Sequence, residues 1–154
     1  MNKKSTIIIP SYQNCDYLKL CVKSILQHSF FDHEIIVHLN GPDTNSENFL
    51  NKEKIFYTKS NKNIGLCSAV NYASTKSNTQ FILYAHDDMY FLPKWDVFLF
   101  DEINLIPHNK FYLSLTQISH NKGVKGNLQH IHLDCGSNLK NFDENKLLDN
   151  FEKF

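Results

Sequence analysis

A chain of 154 residues is long enough for one hydrophobic core and too short for two ordinary domains. Its 16 basic and 16 acidic residues balance to zero formal charge, which argues against recruitment of nucleic acid or an anionic membrane by a global field. Every basic residue is Lys, so a bidentate guanidinium clamp on a diphosphate is excluded, and neutralising such a ligand falls to Lys, backbone amides or metal.

In chain order, Ser5-Thr6-Ile7-Ile8-Ile9-Pro10 reads as a buried strand stopped by proline, too short for a signal-peptide core, with Ser11 to Asn14 as the loop after it. From Asp16 to His28, Leu18, Cys21, Val22, Ile25 and Leu26 recur at helical spacing, with Asn14 or Asp16 available as cap. Glu34 to Leu39 is a second strand, and Asn40-Gly41-Pro42-Asp43 is a turn. A short helix over 45–51 and a third strand over 54–58 follow, then a loop at 61–65 and a helix from Leu66 to Thr75. Gln80 to Tyr84 is mostly apolar and reads as an interior strand covered on both faces; His86-Asp87-Asp88 comes directly after it. Trp95 to Ile106 is a helix ended by Pro107, and Phe111 to Ile118 a further strand. Beyond Ser119 the periodicity fades. The cysteines at 15, 21, 67 and 135 lack CxxC or zinc-like spacing and are expected to be reduced, packed thiols. No run approaches the roughly 20 apolar residues of a spanning helix, so a cytoplasmic protein is expected, peripheral to a membrane only through partners.

Strands alternating with helices imply an α/β domain with a mainly parallel sheet and helices on both faces. Ligands of such sheets sit beyond the carboxyl ends of the strands, so the loops at 10–14, 40–43, 61–65 and 85–89 should converge on one rim. There Asp87 and Asp88 would repel each other unless a cation joins them, and Mg²⁺ or Mn²⁺ would leave coordination positions for phosphate and water. The plainer explanation is a helix N-terminus, where Asp caps orphan amides.

Four stretches in this order resemble the nucleotide-sugar glycosyltransferases of family 2, whose catalytic domain has the GT-A fold. Ile7 to Asn14 is similar to that family's first strand and nucleotide-contacting loop, and Glu34 to Val37 with Asn40-Gly41 to its second strand and turn. Asn61, Gly65, Ala69 and Asn71 match its Asn-x-x-x-Gly loop and helix, and the segment 80–88 its strand ending in a DxD-type metal motif. The family often carries an acid where Leu39 or Asn40 stands here, and the DxD position reads His86-Asp87-Asp88.

The resemblance implies a Rossmann-like nucleotide-binding core over 1–118 and a C-terminal extension of the same domain over 119–154, with the acceptor half abbreviated or missing. It implies donor-nucleotide contacts from Pro10, Ser11, Tyr12, Asn14, Asn40, Asn61, Gly65, His86 and Asp87, and metal contacts from Asp88 and Asp87. Lys62 could approach phosphate, although exposed lysines are usually only solvated. His130-x-His132 on an extended segment would put both rings on one face, which makes His132 an additional metal candidate beside the ordinary surface role. Asp143 and Glu144, near the family's acidic segment, are base candidates for an inverting transfer, or simply acids on a C-terminal helix together with Asp149. The expected activity is metal-dependent transfer of a sugar from a UDP- or GDP-type donor to a glycan, lipid or protein acceptor. The alternatives are an inactive nucleotide-sugar-binding module acting through a partner or longer chain and, less in keeping with the few acids gathered after the strands, a metal-dependent phosphohydrolase.

Overall fold

The computed structural model describes residues 3–120 and 130–153. The chain divides into two compact units, Met1–Asp96 and Val97–Phe154.

In the first unit the apolar runs become strands β1 (Thr6–Ser11), β2 (Glu34–Leu39), β3 (Phe56–Lys59) and β4 (Ile82–Tyr84), all parallel in the order β3-β2-β1-β4. Helices α1 (Cys15–His28), α2 (Thr44–Lys52) and α3 (Leu66–Ser74) connect them. The chain moves outward from β1 to β2 to β3 and then returns past them to β4. With right-handed crossovers this puts α1 and α2 on one face and α3 on the other. Ile8 and Ile36, paired across β1 and β2, accordingly pack with Ala73 and Val70 of α3. Alternation turns Ile7, Ile9, Val37 and Leu39 to the opposite face, and all four are fully buried. Leu18, Val22 and Ile25 of α1 and Leu50 of α2 are buried as well, as their helical spacing required. Leu26, expected on the same face of α1, is 62% exposed.

Two strand expectations change. The apolar composition of segment 80–84 predicts an interior strand, yet β4 is a three-residue edge strand among the described residues, and Ile82 and Tyr84 are exposed. An apolar run reports how well two faces can be buried, not whether a strand has a neighbour on each side. The strand expected over 111–118 shrinks to β5 (Gln117–Ser119); residues 111–116 have no strand assignment, and Tyr112 is 91% exposed.

Helix α4 (Trp95–Leu105) starts in the first unit and continues into the second. The rest of the second unit is β5 paired in parallel with β6 (His130–His132), helix α5 (Glu144–Leu148) and a 3₁₀ turn over Phe151–Lys153. Among the described residues no helix is long and apolar enough to cross a membrane. The four cysteines form no disulfide; Cys21 and Cys135 are packed, Cys15 is half-buried and Cys67 exposed.

Candidate functional site

Because all four strands of the first unit run in parallel, their carboxyl ends share one rim. β1 and β4 are neighbours, and the Ala85 amide continues the ladder to the Ile8 carbonyl at 3.0 Å. This pairing brings the turn after β4 beside the end of β1. Ser11 Oγ donates to Asp87 Oδ2 at 2.6 Å, and Asn14 Nδ2 donates to Asp87 Oδ1 at 3.0 Å. Asn14 holds the N-cap position of α1 but makes no side-chain cap bond, so its amide serves Asp87 in place of the helix end.

Asp87 and Asp88 are the central residues of a turn in which Met89 N–H reaches the His86 carbonyl at 3.4 Å. Asp87 is half-buried against its two donors, whereas Asp88 and His86 are exposed. The two carboxylates therefore have different surroundings: one is bonded from within the protein, the other faces solvent at the rim. The helix-cap alternative is not realised, because the next helix begins only at Trp95. The Tyr84 hydroxyl lies 2.9 Å from His86 Nε2. Behind the turn, Cys21 Sγ donates to the His86 carbonyl at 3.5 Å. Burial, with the charges of Asp87 and Asp88 adding, pushes this thiol up to about 12, so Cys21 is a packed donor and no nucleophile.

The other half of the rim comes from β2 and β3. Asn40 is only 6% exposed. Its Oδ1 accepts from Ile64 N–H at 2.8 Å and its Nδ2 donates to Asn63 Oδ1 at 3.1 Å. Asn63 Oδ1 also accepts from Gly65 N–H at 2.9 Å. Both ends of the Asn40 carboxamide thus engage the loop before α3, which leaves the amide less to offer a base edge than the sequence suggested. Gly41 has φ +134°, and a Cβ there would stand 3.1 Å from Tyr12 Cε2 and 3.6 Å from the Asn63 backbone nitrogen. Tyr12, half exposed, lies directly over this glycine. Pro10 is buried within β1, while Asn61, Lys62 and Gly65 are exposed.

Sequence reasoning missed Asn63 and Cys21. The available signal for Cys21 was its place on the buried stripe of α1; for Asn63 it was a second asparagine in a loop already suspected.

In the second unit Asp143 is the N-cap of α5, its Oδ1 accepting from Lys146 N–H at 2.9 Å, and Glu144 opens that helix half-buried. The expected extended segment at 130–132 is present as β6. His130 Nε2 meets Ser119 Oγ at 2.7 Å, and His132 is exposed. Among the described residues no three His, Cys, Asp or Glu side chains gather where they could hold a metal. Any divalent cation at the rim would rest on Asp88, with His86 beside it, and would need its remaining ligands from substrate and water.

Comparison with known proteins fits this architecture. Residues 1–349 of S. aureus TarS superpose with a TM-score of 0.64 at 17% identity, over 79% of this chain and 38% of that one. The same piece of TarS in complex with UDP gives 0.56 at 18% identity over 64% and 31%. A longer TarS structure gives 0.56 at 21% identity over 80% and 22%. The chain spans less than two fifths of each of these structures, and at such identity the likeness establishes the fold, which is GT-A in type. No curated protein matches. The model of the family described as "Glycosyl transferase family 2" matches residues 6–153, nearly the whole chain, and the protein belongs to that family.

Proposed function

We propose that the protein is a nucleotide-sugar glycosyltransferase that binds a UDP- or GDP-type sugar donor with Mn²⁺ or Mg²⁺ at the rim of the parallel sheet. The sugar passes to a glycan, lipid or protein acceptor with inversion. The observation that carries this reading is the division of labour at Asp87-Asp88. Ser11 and Asn14 anchor Asp87, and Asp88 is turned outward where the strands end. A hard cation held by one or two carboxylates takes its other ligands from phosphate oxygens and water, the mode this donor set suits. Bound there, the cation supplies charge stabilisation for the departing diphosphate, which a chain without arginine needs.

Around that point, Tyr12 over Gly41 offers a flat aromatic surface for a base. The exposed Asn61, Gly65 and His86 border the same rim. Residues 1–118 form the donor-binding core in this reading, and the protein works in the cytoplasm, reaching a membrane surface only through partners. The test is calorimetric titration of common sugar nucleotides with manganese. Metal-dependent binding, lost in Asp88→Ala while the circular dichroism spectrum is retained, is expected; absence of binding across UDP- and GDP-sugars ends the proposal.

A second reading is favoured by one observation: Asp143, a candidate base, is taken up as the N-cap of α5. The chain would then be a donor-binding module that depends on further residues or a partner for transfer. Binding without metal-dependent hydrolysis or transfer would select it.

A further inference from the structure

The turn carrying Asp87 and Asp88 has a second support, on the side away from Ser11 and Asn14. Cys21, Ser24 and His28 stand at i, i+3 and i+7 of α1 and so share one stripe of the helix. Each meets the segment 86–94, which has no helix or strand of its own. Cys21 Sγ donates to the His86 carbonyl. Ser24 Oγ donates to the Cys21 carbonyl at 2.7 Å and accepts from Phe91 N–H at 3.0 Å. His28 Nε2 lies 2.9 Å from the Tyr90 hydroxyl with the two rings tilted at 5.6 Å, and the His28 carbonyl accepts from Lys94 N–H at 2.8 Å.

Irregular backbone takes its geometry from whatever satisfies its polar groups. Here those partners come repeatedly from one face of a helix whose other buried residues lie in the core. Ser24 is 1% and Phe91 7% exposed, so their bond is shielded from water, which could otherwise replace it. Ser11 and Asn14 fix Asp87, but the carboxylate turned outward is Asp88, and the chain leaving Asp88 is held by α1 through Tyr90, Phe91 and Lys94.

We propose that the Cys21-Ser24-His28 stripe is the positioning element of the metal carboxylate: it seats segment 86–94 and so sets how strongly a divalent cation supports nucleotide binding. The proposal rests on the donor-site reading above. These residues act through Asp88 and touch no ligand. Residues on the β2–β3 side of the rim, Tyr12 and the loop at 63–65, are held by other contacts, so metal-independent nucleotide contacts should not depend on the stripe.

The experiment compares the wild-type chain with Ser24→Ala, Tyr90→Phe and, as a control on an exposed position of α1, Lys23→Ala. UDP and GDP are titrated calorimetrically in manganese and in EDTA, well below each unfolding midpoint, and the nucleotide that the wild type binds is carried through the variants. Removing a group that orients a metal ligand weakens metal-supported binding by about tenfold or more. Ser24→Ala is expected to show a loss of that order in manganese with affinity in EDTA unchanged, Tyr90→Phe a smaller loss in the same direction, and Lys23→Ala none. A purely structural role would lower the unfolding midpoint and leave the manganese dependence intact; that result in both Ser24→Ala and Tyr90→Phe overturns the proposal. Should Ser24→Ala not fold, Tyr90→Phe decides. A wild-type chain that binds neither UDP nor GDP in either condition overturns the donor-site reading itself, a wild type that binds equally with and without manganese overturns its metal and the positioning role together, and unchanged variants beside a manganese-dependent wild type overturn the positioning role alone.

Discussion

At Asn40 the carboxamide oxygen accepts from Ile64 N–H while the nitrogen donates to Asn63, so truncating this nearly buried side chain leaves polar groups of the 63–65 loop without those partners. Residues 63–65 are exposed and water can replace the partner, so the loss is that of ordinary hydrogen bonds, about 0.5–1.5 kcal/mol net for each. Asn40→Ala should lower the free energy of urea unfolding by that amount and weaken nucleotide binding by loosening the loop; wild-type stability would show that the clamp is idle. Gly41 next to it is constrained differently. Its φ of +134° is strained for any L side chain, and a methyl group would press on the Tyr12 ring at 3.1 Å. Gly41→Ala should cost about 1–3 kcal/mol and displace Tyr12, seen as reduced UDP affinity with and without metal. The sequence marked Asn40-Gly41 as a turn at the rim from residue type alone. It could not pair Asn40 with Asn63, because 23 positions separate them and only the β2–β3 register brings them together. Likewise nothing local in the sequence joins Ser11 and Asn14 to Asp87, a neighbour created by β1–β4 pairing.

Among the elements, α4 shows how one residue can fasten the start of a helix. Asp96 is fully buried, and its oxygens accept from the amides of Phe30 and Phe31 at 2.7–3.0 Å and meet His33 Nε2 at 3.0 Å. Burial alone would raise its pKa, but the two amides and His33 outweigh that and hold the carboxyl below its usual value. On its other nitrogen His33 meets Ser5 Oγ at 2.7 Å. A Ser-His-Asp chain results, but Ser5 is 2% exposed, so the chain ties the starts of β1, β2 and α4 together and offers no nucleophile to a substrate. Breaking a buried pair by removing one partner costs about 3–5 kcal/mol. Asp96→Ala should lose stability of that order in urea unfolding, and a loss near zero would mean that water takes over the carboxylate's partners. Elements of this kind were legible where periodicity was strong: α1, α2, α3 and the buried β1 and β2 fall where the apolar spacing put them. Legibility ended at sheet edges. Gln80 to Tyr84 and Phe111 to Ile118 have similarly apolar composition, yet one becomes a short edge strand and most of the other no strand at all, since pairing depends on residues distant in sequence.

For the whole molecule, zero formal charge removes general self-repulsion as the main source of pH dependence near neutrality, so individual buried groups should dominate it. His38 is one of these. It sits 1% exposed on the α3 face of the sheet, its Nδ1 2.8 Å from Thr58 Oγ1 and its ring edge-on to Tyr72, while Nε2 is buried without a hydrogen-bond partner among the described residues. Burial lowers its pKa from the ordinary 6.5. The unfolded chain therefore takes up this proton first as pH falls, and the stabilisation, fully present above pH 6.5, is lost progressively below it until the folded pKa is passed. Asp96 has the same sign but a lower window: its carboxyl, held below 3.8, contributes stability above that value that is lost only as pH falls through the folded pKa. Urea unfolding from pH 8 to pH 3 should thus decline in two stages. His38→Gln should flatten the stage that begins near pH 6.5 and leave the one below 3.8 in place, because the two groups lie in separate networks. A variant whose stability runs parallel to wild type through the upper stage would show that another group carries it, and that the unpaired Nε2 of His38 is tolerated in either protonation state.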